Sequence, residues 1–278
     1  MTTITQTHTL EYVLDGLPQL RLHNHKGDIR VVHDAEPGVV NLRLHSHRAV
    51  SFDDVESSAD GTTVTVNIPQ LNEADSGSGF SFRIAGISLF AGFLGPTVDV
   101  EVHLPANAQL ALDTGYGNIS VSGVSGQTAA KTGAGDVRIP DAGLVTLHSG
   151  AGNVSAGRIG GGTLRTGAGD ISIERSTGDT DVNSGSGDVT VLDAVGTLHI
   201  HTGAGDVNAS LSEGRIEVRS GMGDISIRVP TDIAVWQELT TGMGEVRSRI
   251  ASLGEPEPGE PYLSVTARSG AGDVQLAH

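Results

Sequence analysis

Along most of the chain apolar residues alternate with polar ones, and the alternation is interrupted at near-regular intervals by a short run of small residues. Leu110 and Leu112, Val145 and Leu147, Leu198 and Ile200, and Ile216 and Val218 each precede such a run. Ile119 and Val121, Val137 and Ile139, Ile171 and Ile173, Val189 and Val191, and Ile225 and Ile227 each follow one. A period of two puts these side chains on a single face of an extended strand. No segment has a helical period, and no interval between runs has room for a helix of about ten residues.

The interrupting run is [ST]-G-x-G-[DN]-[VI]. Its first glycine stands at Gly115, Gly133, Gly150, Gly167, Gly185, Gly203, Gly221, Gly242 and Gly270, spaced by 17 or 18 residues as far as Gly221 and then by 21 and 28. Only the copy at Thr241 departs from the pattern, with Glu245 in the acidic position. Each repeat therefore reads as two short strands around a turn whose glycines admit positive φ. A unit of this size cannot bury its apolar face alone, whereas stacked copies can. The expected fold is all-β: a parallel β-solenoid, or β-helix, of about nine coils of 17–18 residues, with equivalent strands ~4.8 Å apart. Residues 106–278 form this repeat section. GEPEPGEPY, within an exposed loop at 250–262, precedes the final copy. Residues 1–105 are a less regular, strand-rich section continuous with the solenoid, including a divergent copy at Gly27, Asp28 and Ile29 and further strands in VNLRLHSHRAV, TTVTVNIPQ and TVDVEVHLP.

KGDIRV near the start, VDVEVHLPANAQLALDTGYGNISVSG in the middle and the later SGAGDV and TGAGDI copies carry a resemblance that covers nearly the whole chain. The organisation resembles a bacterial "putative adhesin" family of β-strand-repeat proteins of unknown function. That resemblance implies a parallel β-solenoid and implies little about activity.

Stacking turns every repeat position into a column. The acidic column holds Asp136, Asp170, Asp188, Asp206, Asp224, Glu245 and Asp273, interrupted by Asn118 and Asn153. Like charges ~4.8 Å apart repel by about 1 kcal/mol in water and by a few kcal/mol at lower effective dielectric, so something must offset them. Turn N–H groups that donate to each carboxylate are the first expectation. A neighbouring basic column is the second: the residue before [ST]-G runs Asp113, Lys131, His148, Arg165, Asn183, His201, Arg219, Thr240, Arg268 and points outward. Ca²⁺ bound along Asp136, Asp170, Asp188, Asp206 and Asp224 is the third, although one carboxylate per turn leaves most of its six to eight oxygen ligands to carbonyls and waters. The Thr/Ser column from Thr114 to Ser269 lies in phase with the inward leucines and reads as a buried hydroxyl ladder bonded to turn backbone.

Outside the ladders, His23 with His25 and His45 with His47 each share a strand face. If the two strands pair in register, four imidazoles converge on a site suited to Zn²⁺. Phe80, Phe82, Phe90 and Phe93 lie in the most apolar stretch, SGSGFSFRIAGISLFAGFLGP, which is expected to plug an end of the solenoid, the alternative being an exposed contact patch. No capping segment follows Gln275, so the C-terminal coil is expected as an open edge suited to pairing with another copy.

Composition narrows the function classes. Aromatic residues make up 3% of the chain while glycine supplies 39 of 278 residues, so the core must be built from small aliphatics. A net charge of −16 argues against nucleic acid and anionic membrane surfaces as partners. Cysteine is absent, which removes disulfides and thiolate chemistry. The first 20 residues lack a basic and apolar leader pattern, and no run of 18 apolar residues exists, which gives the expectation of a cytoplasmic protein without a membrane span. Gly-x-Gly precedes a strand rather than a helix, so it is not a dinucleotide fingerprint. An enzyme acting on carbohydrate would need paired carboxylates in a groove near Trp236 or Tyr262. The leading expectation is a non-catalytic scaffold or adhesin-like interaction module without cofactor, self-associating or binding another protein. Its contact candidates are the four phenylalanines and Lys131, Arg165, Arg219 and Arg268. Binding of Ca-type divalent cations along the Asp ladder is the alternative.

Overall fold

The computed structural model describes residues 6–71, 83–84, 87–88, 95–250 and 262–278. Phe80, Phe82, Phe90, Phe93 and most of the 250–262 loop lie outside the described residues. The described part is all-β. Its N-terminal strands are β1 (Gln6–Val13), β2 (Gln19–Lys26), β3 (Ile29–His33), β4 (Val39–Ser46), β5 (Glu56–Asp60), β6 (Thr63–Ile68), a short β7–β8 pair (Arg83–Ile84, Ile87–Ser88) and β9 (Val98–Leu104). The repeat section continues with β10 (Gln109–Tyr116), β11 (Ile119–Ser122), β12 (Val124–Ser125), β13 (Thr128–Ala134), β14 (Val137–Ala151), β15 (Val154–Ala168), β16 (Ile171–Ser176) and β17 (Thr180–Ser186). After these come β18 (Val189–Ala204), β19 (Val207–Met222), β20 (Ile225–Arg228), β21 (Ala234–Met243), β22 (Val246–Ser248), β23 (Tyr262–Ala271) and β24 (Val274–Ala277).

Successive repeats pair in parallel, each residue beside its equivalent one repeat away: Val137 with Val154, Leu147 with Leu164, Ser149 with Thr166. The Gly-rich run bends the chain, so each rung contributes to two sheet faces. One face carries β6, β2, β10, β13, the C-terminal halves of β14 and β15, β17, the C-terminal halves of β18 and β19, β23 and β21 in that order. The other carries β3, β11, the N-terminal halves of β14 and β15, β16, then β18, β19, β20, β24 and β22. The result is solenoid-like, and the alternation explains it: Leu20, Leu147, Leu164, Ile171, Val207, Ile216 and Val265 all point inward with at most 1% exposure. One continuous aliphatic core runs through the stack. Each fully buried Leu, Ile or Val contributes about 1.5–3 kcal/mol by leaving water.

The two ends differ from what periodicity alone implies. At the N-terminal end strand direction reverses: β1 pairs antiparallel with β4, β4 with β9, and β5 with β6. Phe52 stacks on His8 (ring centroids 5.4 Å apart) and packs with Val55 against the core. At the other end the sequence order is broken. β23 pairs with β19 on one side and β21 on the other, and β24 lies between β20 and β22. The C-terminal coil expected as an open edge is thus internal, inserted between two coils that precede it in the chain.

Residues 234–248 are the outermost rung described at that end. In inward columns where Val265 and Leu276 stand on the neighbouring coil, this rung carries Gln237 and Ser248. Ser248 Oγ donates to Gln237 Oε1 (2.7 Å) and Gln237 Nε2 donates to the Ile250 carbonyl (3.2 Å). Polar side chains that bond one another across the coil interior make this a capping repeat.

Candidate interaction surface

The corner run is built by close backbone approach. At Gly205 φ is 136°, and a Cβ there would stand 2.2 Å from the Gly187 carbonyl oxygen of the preceding rung. The same approach recurs at the second glycine of every copy. It leaves the following residue outside with its N–H pointing along the stack, and the acidic column exploits this. The backbone N–H of Asp206 donates to Asp188 Oδ1 (2.8 Å), and that of Asp224 donates to Asp206 Oδ1 (2.8 Å). The series runs without a break through Asp99, Asp28, Asn118, Asp136, Asn153, Asp170, Asp188, Asp206, Asp224, Asp273 and Glu245. The donors belong to the next rung rather than to the carboxylate's own turn, so the ladder ties coils together. Asn serves as well as Asp because only an acceptor oxygen is required. Asp99 escapes sequence reading because no glycine precedes it.

Arg247 closes the ladder at its Glu245 end. Its Nε and Nη2 donate to Glu245 Oε2 (3.0 and 2.6 Å), and Nη1 lies 3.3 Å from Asp273 Oδ2. The hydrogen bonds to Glu245, then the negative charge of Glu245, Asp273 and Asp224, raise the Arg247 pKa above its ordinary value. Arg247 is outside the basic column, and the signal that could have found it is its position two residues after the lone Glu. With each Oδ1 held by an N–H, the third expectation for this column, Ca²⁺, would have to use the remaining oxygens. Among the described residues no three His, Asp or Glu side chains gather in metal-holding geometry.

A second ladder lies inside the corner. Thr132 Oγ1 donates to the Gly117 carbonyl (2.8 Å), Ser149 Oγ to Gly135 (2.8 Å), Thr166 Oγ1 to Gly152 (2.9 Å) and Ser269 Oγ to Gly223 (3.0 Å). Asn24 takes this role in the divergent copy, with Nδ2 2.8 Å from the Val98 carbonyl.

The column before [ST]-G faces outward. Towards the capped end its cations are neutralised on the same face: Arg219 pairs with Glu217 (2.5 Å) and Arg268 with Glu238 (2.7 Å), while His199 approaches Glu217 (3.6 Å). Lys131, His148 and Arg165 are register neighbours on β13, β14 and β15, and among the described residues none has an ion-pair partner. Two grooves meet at His148. One, of about 510 Å³, has Ala111 and Ala129 as its floor and Arg21 and Lys131 beside it. The other, of about 420 Å³, runs between His148, Arg165 and His201 over Gly167, Gly185 and Gly203, whose missing side chains open it. Neither touches Trp236 or Tyr262.

The proposed histidine cluster does not form. β2 pairs with β10 and β6, whereas β4 pairs with β1 and β9, so His23 and His25 are not brought against His45 and His47. His23 instead lies 3.5 Å from Asp113, and His45 Nδ1 lies 3.2 Å from Thr7 Oγ1. Strand alternation fixes the face on which a histidine stands but not the strand beside it.

Residues 18–277 match the family described as Toastrack DUF4097. Among curated proteins none matches the chain. Solved structures that resemble it include a "putative adhesin" of Parabacteroides merdae, at 9% identity and a TM-score of 0.50, with 98% of this chain and 96% of that one covered. A "putative adhesin" of Bacteroides fragilis gives 10% identity, a TM-score of 0.45 and coverage of 98% and 97%. A "putative lipid binding protein" of Parabacteroides distasonis gives 11% identity, a TM-score of 0.47 and coverage of 97% and 96%. At such identities the likeness concerns the fold.

Proposed function

From the premise that this chain belongs to the Toastrack DUF4097 family, we propose that it is a non-catalytic interaction module, a parallel β-solenoid of about nine 17–18-residue coils that associates with copies of itself. The observation that carries this reading is the unpaired row Lys131, His148 and Arg165 on an outward sheet face of a chain with net charge −16. Lys131 and Arg165, in one column with His148 between them and without an ion-pair partner, suit an acidic surface with the same spacing, and every copy carries one in its Asp ladder. Both columns repeat at the inter-strand distance of ~4.8 Å, so charges of two copies stay in step over several rungs. Electrostatic pairing of this kind sets register and partner choice more than raw affinity.

Sedimentation of the unaltered protein beside Lys131→Glu/Arg165→Glu tests the reading. The unaltered chain is expected to sediment as a dimer or larger at tens of micromolar, and the double variant as a monomer with an unchanged melting temperature. Equal association by both would remove the basic row from the contact.

A further inference from the structure

The out-of-order position of the C-terminal coil has a consequence for how copies join. Residues 262–277 fill a slot whose walls are the rung 215–228 and the capping rung 234–248. Pairing is parallel and in register on both sides: Val265 stands beside Ile216 and Gln237, and Val274 beside Ile225 and Val246. Leu263, Val265, Ala267, Val274 and Leu276 are at most 1% exposed, so the inserted coil contributes a full layer of core. It also carries the Asp273 link of the acidic ladder: the Asp273 N–H donates to Asp224 Oδ1 on one side, and Asp273 Oδ1 accepts the Glu245 N–H on the other.

The two walls are complementary to each other as well as to the insert. Ser220-Gly221-Met222-Gly223-Asp224-Ile225 and Thr241-Gly242-Met243-Gly244-Glu245-Val246 present the same sequence of columns that every other pair of stacked rungs presents. The connection between Ser248 and Tyr262 is residues 249–261, long enough to span about 40 Å when extended. A coil held in a slot between two rungs that pair with it in register, and joined to them by such a connection, is an element that copies can exchange at low cost.

We infer that the slot between the rungs 215–228 and 234–248 accepts the 262–277 coil of a second copy, so that two copies exchange C-terminal coils. This inference rests on the self-association proposed above and names the element that locks it. The basic row brings copies together, and exchange then replaces an intramolecular coil by its equivalent from the partner with the same hydrogen bonds and the same buried residues.

The absence of cysteine makes the test unambiguous. Ser226 on the slot wall and Gln275 on the inserted coil are register partners on an outward face, and paired strand positions lie within the Cα separation that a disulfide needs. Ser226→Cys and Gln275→Cys proteins are prepared separately, mixed at tens of micromolar, incubated below the melting temperature and oxidised. Exchange predicts a disulfide-linked heterodimer that grows with incubation time and protein concentration and is lost when either variant is oxidised alone. The Ser226→Cys/Gln275→Cys double variant, oxidised at high dilution, closes within one chain and confirms the register. Dimer mass by light scattering without the heterodisulfide, while the double variant still closes, overturns coil exchange and leaves self-association standing. Monomer mass throughout overturns both.

Discussion

Replacing Gly187 by Ala separates the rung-to-rung contact from ordinary backbone strain. Its Cβ would stand 2.1 Å from the Gly169 carbonyl oxygen, 2.5 Å from the carbonyl carbon and 3.0 Å from Asp170 Oδ1, at a φ of 134°. Holding a non-glycine residue in such a region costs about 1–3 kcal/mol. Separating two hydrogen-bonded rungs to admit the methyl group adds about 1–3 kcal/mol by analogy with overpacked cores. Together these reach roughly 2–6 kcal/mol, a large share of the 5–15 kcal/mol typical of a folded protein. Gly61 is the matched control: its φ is 57°, and no atom lies within 4 Å of where a Cβ would be. Ala there bears the left-handed cost alone, about 1–2 kcal/mol. The contact cost of about 1–3 kcal/mol separates the two variants, so thermal unfolding followed by circular dichroism should place Gly187→Ala roughly 2–12 °C below Gly61→Ala, at about 2–4 °C per kcal/mol. Equal melting temperatures for the two variants would refute the backbone contact on which the stacking rests.

Asp188→Asn should leave stability unchanged or slightly raised, because the amide oxygen still accepts the Asp206 N–H and one charge leaves the row Asp170, Asp188, Asp206, Asp224. Asp188→Ala should cost about 1 kcal/mol in urea unfolding, and a ladder that is decorative would show no difference between the two. Millimolar Ca²⁺ should leave the melting temperature unmoved, since each ladder Oδ1 is already held by a backbone N–H; an upward shift would support cation binding instead. His33 is half-buried: its Nδ1 donates to the Pro105 carbonyl (2.8 Å) and its Nε2 lies 2.9 Å from Ser125 Oγ, and burial lowers its pKa below 6.5. A His that binds its proton less tightly when folded contributes stability that is present above the unfolded pKa and lost as pH falls through that value towards the folded one. Melting temperatures read from pH 7.5 downward through 6.5 should therefore fall less steeply for His33→Gln than for the unaltered chain.

The period-two alternation and the recurring Gly-x-Gly were enough to place the inward leucines and valines, the outward basic column and the buried hydroxyls before any coordinates. They could not give the order of the rungs. Parallel rungs share one set of columns, so Ser220-Gly221 can receive the Thr241 rung or the Ser269 rung equally well, and only Gln237 and Ser248 in inward positions mark the former as the outer one. The direction of the Asp ladder was hidden for a related reason: a carboxylate beside a turn can accept from its own turn or from the next rung, and the choice depends on the approach at Gly205. His23 and His45 show the same limit, since alternation orients side chains and says nothing about neighbours. At the N-terminal end, the antiparallel strands β1, β4 and β5 carry ordinary alternation with no sign of their reversed direction.

The central claim, that this is a self-associating module, meets its most direct test in the molar mass of the unaltered chain. Multi-angle light scattering across a dilution series at physiological salt is predicted to show at least twice the 28.5 kDa chain mass at tens of micromolar, falling towards it on dilution. A mass that stays at that of one chain across the series would contradict the account.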